Sequence, residues 1–427
     1  MVVYNNSYFE AFGLINFSCQ KSRQTDGVSS SRKIAEALQF NNSSSFFYIY
    51  KDFVKNEEFI LKGSDVWDYG ISFHLKGYER KVFLNFSEVF DFDGRYNRVY
   101  TYLQGRGVHS IEETIKELEL LPFHESFVNL FITDSLDDLI VNEKEVTIPV
   151  KQLNDFIELY KVKTNDNKSN EEIKKSFTDA ATLIHNFNLA IKKINSQKSK
   201  PKEFEQVVNI LLVDGNKSNK SEQTAAKKQT FSYLYLYKIL DELFEITISD
   251  SAFDDYLLWK PLFEILGYIG YGDLTGLRYD LLKLANISEK FEKLFETEKK
   301  DSRSVKSKTQ KGKKKSTIKS DSKTDSKYLI SLIESLFEEN SFKEFIQLHE
   351  YQSAEYFNKE RFEEAIKWLL LFYIFDKFAT ESKTLKPLSV NKSLKERLTK
   401  FVLSYNLLLE ISKKSGYRKD KFIELLK

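Results

Sequence analysis

The chain is poor in the residues from which compact reactive centres are built. Among 427 residues there is one cysteine, Cys19, one methionine and five histidines. A single thiol excludes a disulfide framework and a thiolate metal cage. His74, His109, His124, His185 and His349 never recur at a metal-ligand spacing along one helix, and no HExxH occurs. His124-Glu125 comes nearest, just after Pro122 at what reads as a helix end, and all five read as structural or surface residues. Five prolines, Pro122, Pro149, Pro201, Pro261 and Pro387, suit a mostly helical chain. The opening MVVYNNSYFEAF lacks the basic and apolar regions of a signal peptide. The longest uncharged apolar run, Trp368 to Phe375, is far below the roughly 18 residues of a membrane span. These absences lead us to expect a cytoplasmic chain without a membrane partner, provided that Met1 is the true start.

Charge of one sign is also scarce, but only on average. The net charge is +2, yet residues 299–327 hold twelve lysines and arginines against three aspartates, which is +9 and leaves −7 for the rest. A mildly acidic remainder argues against a nucleic-acid-binding face. The basic segment has no aromatic residue on which a base could stack, so it reads as a disordered linker. Residues 214–229, DGNKSNKSEQTAAKKQ, read the same way.

What is present is hydrophobic patterning of two kinds. Residues 1–100 carry short runs rich in Val, Ile, Phe and Tyr: VVYNN, GLINFSCQK, FFYIYKDF, EEFILKG, YGISFHLKG and ERKVFLNF. Turn-prone QTDG, NNSSS, KNEE, KGSD and KGY separate them, and SRKIAEALQF reads as a helix. Alternation in Phe83-Leu84-Asn85-Phe86 suggests a strand with one face on a core. From His109 the period becomes 3.6. Ser110 and Glu113 form a capping-box pattern, and Ile111, Ile115 and Leu118 line one face. Further helices are expected over Ile173–Ile191, Phe204–Val213, Tyr233–Phe244, Tyr256–Ile265 and Tyr279–Phe295. Tyr328–Phe337, Phe342–Leu348, Phe362–Phe375 and Leu394–Ile411 complete the series. The expected fold class is therefore α+β, a small antiparallel β-sheet or sandwich followed by a mostly α-helical region. Its expected parts are 1–100 (β-rich), 101–298 (helical), 299–327 (linker) and 328–427 (C-terminal helices).

Two stretches invite a chemical reading. GYIGYGDLTG, Gly267 to Gly276, follows a helix rather than a strand and lacks the Lys-Ser/Thr of a phosphate loop. It reads as a turn between helices with Asp273 capping the second. Residues 77–107 gather Glu79, Arg80, Glu88, Asp91, Asp93, Arg95 and Arg98 among Phe and Tyr side chains. A glycosidase needs two carboxylates held at a fixed separation, one with a raised pKa. Asp91 and Asp93 instead flank a Gly-containing turn, with Arg95 and Arg98 opening a helix and able to pair with them. This is a sheet-to-helix junction, and no nucleophile–base pair, metal cluster or cofactor loop appears elsewhere.

Several separated blocks, VVYNNSYFEAFGLINFS, FHLKGYERKVFLNFSEVFD, LQGRGVHSIEETIKELELLPFHESF, HEYQSAEYFNKERFEEAIKWLL and SGYRKDKFIELL, follow one order along the chain. Together they resemble the post-catalytic region of large bacterial α-amylase-family proteins, of the glycoside hydrolase family thirteen type. The resemblance implies that residues 1–100 are the β domain behind a (β/α)8 barrel and that the helices are its extension. It implies also that the barrel is missing, because its eight strand–helix alternations need about 250 residues. No position here can inherit the family's catalytic acids, and no metal or cofactor is expected. The expected role is then a non-catalytic accessory region in α-glucan (carbohydrate) metabolism. Its partner would be a catalytic barrel in cis or trans, with glucan contact through Trp67, Tyr69 and Tyr96. The alternative is a free-standing helical scaffold whose partner surface is the aromatic helix Phe362–Phe375.

Overall fold

The computed structural model describes residues 1–18, 20–22, 29–132, 149–196, 220–296 and 322–427. Cys19, the helix expected over 204–213, residues 214–219 and residues 299–321 of the basic segment lie outside the described residues. The chain forms two compact units, Met1–Leu121 and Pro122–Lys427. It is α+β, with a small antiparallel sheet at the start and helices after it.

In the first unit the strands are β1 (Val2–Tyr4), β2 (Ala11–Ile15), β3 (Lys21–Ser22), β4 (Ser29–Ser30), β5 (Phe46–Asp52), β6 (Glu57–Lys62), β7 (Ile71–Leu75) and β8 (Arg80–Phe90). The helices are α1 (Ile34–Ala37), α2 (Gly63–Tyr69), α3 (Arg95–Leu103) and α4 (Ile111–Phe131), and the boundary between the units falls within α4. The main sheet runs β1-β8-β5-β6, all antiparallel, while β2 pairs β7 and β3 pairs β4. β5 is covered on both faces. Tyr48 and Tyr50 join a cluster with Ala35, Phe40, Val66, Ile71, Phe73 and Phe83. Phe47 joins Ile60, Val99, Leu103, Ile111 and Ile115 on the other side. Successive side chains of a strand point to opposite faces, so one seven-residue run serves both cores.

The alternation expected at residues 83–86 is broken there. Phe83 and Phe86 both pack on the first cluster although they are three residues apart. The register of β8 against β5 shifts between Ile49 and Lys51, opposite this segment, and Asn85 takes φ +55°. A β-bulge inserts one residue and resets the phase, and asparagine tolerates the left-handed backbone that this requires.

The second unit contains α5 (Val150–Thr164), α6 (Asn170–Asn195), α7 (Lys220–Phe244), α8 (Ser251–Asp255), α9 (Trp259–Ile269), α10 (Thr275–Lys283), α11 (Glu292–Glu296), α12 (Ser322–Glu338), α13 (Asn340–Phe345), α14 (Lys359–Thr384), α15 (Pro387–Lys414) and α16 (Lys419–Leu426). Its centre is α14, which meets α15, α6, α10 and the 3-10 turn Ala285–Phe291. Every residue from Ala365 to Phe375 is buried. The partner surface expected at Phe362–Phe375 is therefore core, because a helix that is apolar all round must be enclosed. Tyr237 of α7 stacks on Phe372 at 4.1 Å, and Tyr233 meets Trp368 edge-on at 4.6 Å.

Other expectations need correction. Pro122 lies inside α4 rather than at its end, and residues 220–229, expected to be disordered, belong to α7. The run Tyr279–Phe295 is split, with α10 stopping at Lys283 and a 3-10 turn spanning Ala285–Phe291. Tyr256 precedes a break at Leu257, whose φ is +46°. A hairpin of β9 (His349–Tyr351) and β10 (Ala354–Tyr356) was not legible, since its turn residues Gln352 and Ser353 both adopt positive φ without the usual Asn-Gly. Among the described residues, no helix is long and apolar enough to cross a membrane.

Candidate functional site

The acid-rich stretch resolves into helix capping. Asp91 accepts from the Tyr96 and Asn97 amides at 3.2 and 3.0 Å, so its carboxylate occupies the N-terminus of α3, where unpaired N–H groups favour an anion. Asp93 accepts from the Arg95 amide and guanidinium, and these bonds hold its carboxyl below the usual range. Arg95 is thus the arginine that pairs with an aspartate of the turn. The next helix is capped similarly: Ser110 Oγ accepts from the Glu113 amide at 3.3 Å, and Glu58, remote in sequence, accepts from the Ile111 amide at 2.9 Å. The Gly-rich segment is a turn between α9 and α10 as expected. Asp273, however, sits in the 3-10 turn Gly272–Leu274 and does not cap α10, whose N-cap position is Leu274.

The three aromatic residues expected to touch glucan fall in different surroundings. Trp67 is half-buried against the first cluster, and its Nε1 donates to Phe40 O at 2.8 Å. Tyr96 packs on the second cluster, across the sheet. Tyr69, at the end of α2, is 68 % exposed and alone offers an open ring face. No shared platform forms from them.

A different aromatic surface lies on the β2–β7 ribbon. Phe12, Leu14, Ser72 and His74 point outward, since Phe12 is opposite His74 and Leu14 opposite Ser72. Phe12 is 77 % exposed, and its ring stacks on His74 at 4.1 Å with planes 4° apart. His74 Nε2 lies 3.2 Å from Glu10 Oε2. The residues of β2, AFGLI, carry no charge, no proline and no bulge, the devices that normally protect a strand at a sheet edge. Among the described residues its only strand partner is β7.

At the end of this ribbon, two loops hold Tyr8, Phe9 and Tyr78 out in solvent. Asn5 Nδ2 donates to Phe9 O and Lys76 O, its Oδ1 accepts from the Ser7 amide, and the Tyr78 amide donates to Ser7 O. A Cβ at Gly77 would stand 2.2 Å from Tyr8 O, so only glycine lets the loops meet. Tyr8 and Phe9 are 78 % and 76 % exposed, with rings edge-on at 5.8 Å. Hydrogen-bonded backbone thus fixes an apolar surface that buries almost nothing of its own. Contiguous apolar patches of this kind mark contact sites more often than free surface. The signal in the sequence was SYFEAFGLINF, where aromatic residues recur through a strand with no charged residue between Ala11 and Phe17.

Among the described residues, no group of three or more His, Cys, Asp or Glu could hold a metal ion. No family model, curated protein or solved structure matches the chain.

Proposed function

We propose that the chain is a non-catalytic accessory region of a cytoplasmic α-glucan-processing enzyme of α-amylase type. Its β2–β7 face docks on the catalytic barrel, whether that barrel is joined to the chain or encoded separately. One observation carries this reading: an uncharged edge strand with Phe12 and Leu14 exposed, beside Tyr8, Phe9 and Tyr78. A β unit that precedes helices, and the ordered sequence blocks, add to it. Burying such a face against a second domain would remove both its apolar area and its open backbone edge from water. Tyr69 is the place where glucan would stack.

The free-standing scaffold has lost the surface that suggested it, because Phe362–Phe375 are core. The test is co-expression of the chain with the barrel encoded beside it, followed by co-purification and by mobility in amylose gels. A complex released by Phe12→Ser with Leu14→Ser is the expected result. The reading fails if a barrel is bound equally well by this variant. It fails equally if no neighbouring frame encodes a barrel and amylose leaves mobility unchanged.

A further inference from the structure

The second unit holds an open pocket of about 350 Å³, lined by residues of α6, α14 and the first turns of α15, that the proposed accessory role does not use. Its size falls within the range of small-molecule sites. The walls are mainly apolar. Ala190, Phe378 and Val390 are buried there, while Leu189 and Leu385 remain 39 % and 46 % exposed, so hydrocarbon surface meets solvent at the opening. A ligand that covers such walls with its own apolar atoms removes both surfaces from water.

The polar groups of the pocket select the rest of that ligand. Among the described residues, Lys193 is the one charged side chain lining it, and no carboxylate does. Glu381, the acid beside Ser382 in sequence, is held by both guanidinium nitrogens of Arg397 at 2.9 and 2.6 Å. Lys193 makes no ion pair among the described residues, and the side-chain amides of Asn186 and Asn391 make no hydrogen bond. An organic cation would meet Lys193 with no acid to offset the repulsion. A neutral ligand would gain nothing from the ammonium group. A doubly charged phosphate would bring more negative charge than one lysine balances. A single carboxylate on an apolar body matches both the walls and the charge, since an ammonium bonds an anionic oxygen more strongly than a neutral one.

We propose that this pocket binds a linear alkyl carboxylate, with its hydrocarbon chain against Ala190, Phe378 and Val390 and its carboxylate accepting from Lys193. Asn186 and Asn391 are the neutral donors at hand for the second carboxylate oxygen. Burial of the chain supplies affinity, and the cation sets the preference for an acid over its uncharged relatives.

The probe is sodium octanoate, titrated by calorimetry into the intact chain below its aggregation concentration, beside octanamide and octylammonium chloride. Saturable binding of octanoate is expected, with octanamide weaker by roughly tenfold or more and octylammonium not bound. Lys193→Glu should weaken octanoate binding by roughly tenfold or more, and Ser382→Trp, which fills the pocket from an exposed position, should do the same. If either variant does not fold, the comparison of octanoate with octanamide on the unaltered chain decides the matter by itself. Absence of saturable octanoate binding overturns the proposal, as do equal affinity for octanamide and undiminished binding by a folded Lys193→Glu or Ser382→Trp. Association with phosphatidylglycerol vesicles but not with octanoate also overturns it, because the anion recognised would then be a lipid surface.

Discussion

Arg278 and Glu364 form an ion pair in which the arginine is only 1 % exposed. The guanidinium lies 5.0 Å from the Tyr271 ring centroid and 5.1 Å from that of Trp368, and Trp368 Nε1 donates to the same Glu364 oxygen at 3.0 Å. α10 is thereby tied to the central α14. Removing one member of such a pair strands a charge out of water, whereas replacing both with apolar groups does not. Glu364→Ala should cost about 3–5 kcal/mol, and Arg278→Met with Glu364→Leu should recover part of that loss. Urea midpoints of the single and double variants measure both. A single-variant cost below about 1 kcal/mol would show the pair to be incidental.

Asp376 should make stability fall as the solution becomes more alkaline. Burial lifts its folded pKa to about 7, above the ordinary 3.8, so between these values the native chain holds a proton that the unfolded chain has released. The stabilisation is complete below pH 4 and lost as pH rises through 7. Its size is on the order of 4 kcal/mol. Asp376→Asn should accordingly raise the urea midpoint at pH 8 and lower or leave it unchanged at pH 4. An equal change at both pH values would contradict this.

Asn85 should accept glycine and reject a β-branched residue. At φ +55° a side chain branched at Cβ collides with the backbone, at a cost of about 1–2 kcal/mol, while Asn85→Gly should stay within about 0.5 kcal/mol. Thermal unfolding of Asn85→Val beside Asn85→Gly is the comparison, and equal midpoints would count against the bulge.

Phe12→Ser should change the stability of the isolated chain by less than about 0.5 kcal/mol, since the side chain lies mostly in solvent. The same change should reduce self-association at high concentration, measured by sedimentation. A large loss of stability would mean that Phe12 serves the fold rather than a partner.

Much of this architecture could be read from spacing. Ile173, Phe177, Ala181, Ile184, Phe187 and Ile191 are all buried, as a stripe of period 3.6 requires. The helix start is equally legible, as Ser169 and Glu172 stand at the Ser-x-x-Glu spacing and form a capping box. Other features depend on partners remote in sequence. Glu58 capping α4 and the unmatched Asp376 oxygen have no local signature beyond a lone acid within LLLFYIFDKF. Trp67 and Tyr96 illustrate the same limit: ring type suggested sugar contact, but which ring packs inward was decided by tertiary structure.

Because β5 contributes to two cores at once, the smallest independent piece of the N-terminal half is longer than its strands. Cutting after residue 100 would strip away Leu103, Ile111 and Ile115 and leave Phe47 and Ile60 uncovered. Anyone trimming the protein for crystallisation or fusion should keep α3 and the first half of α4. A cut near residue 121 keeps α3 and the first half of α4, which carries Ile111 and Ile115, and a piece ending before them should be recovered as insoluble material.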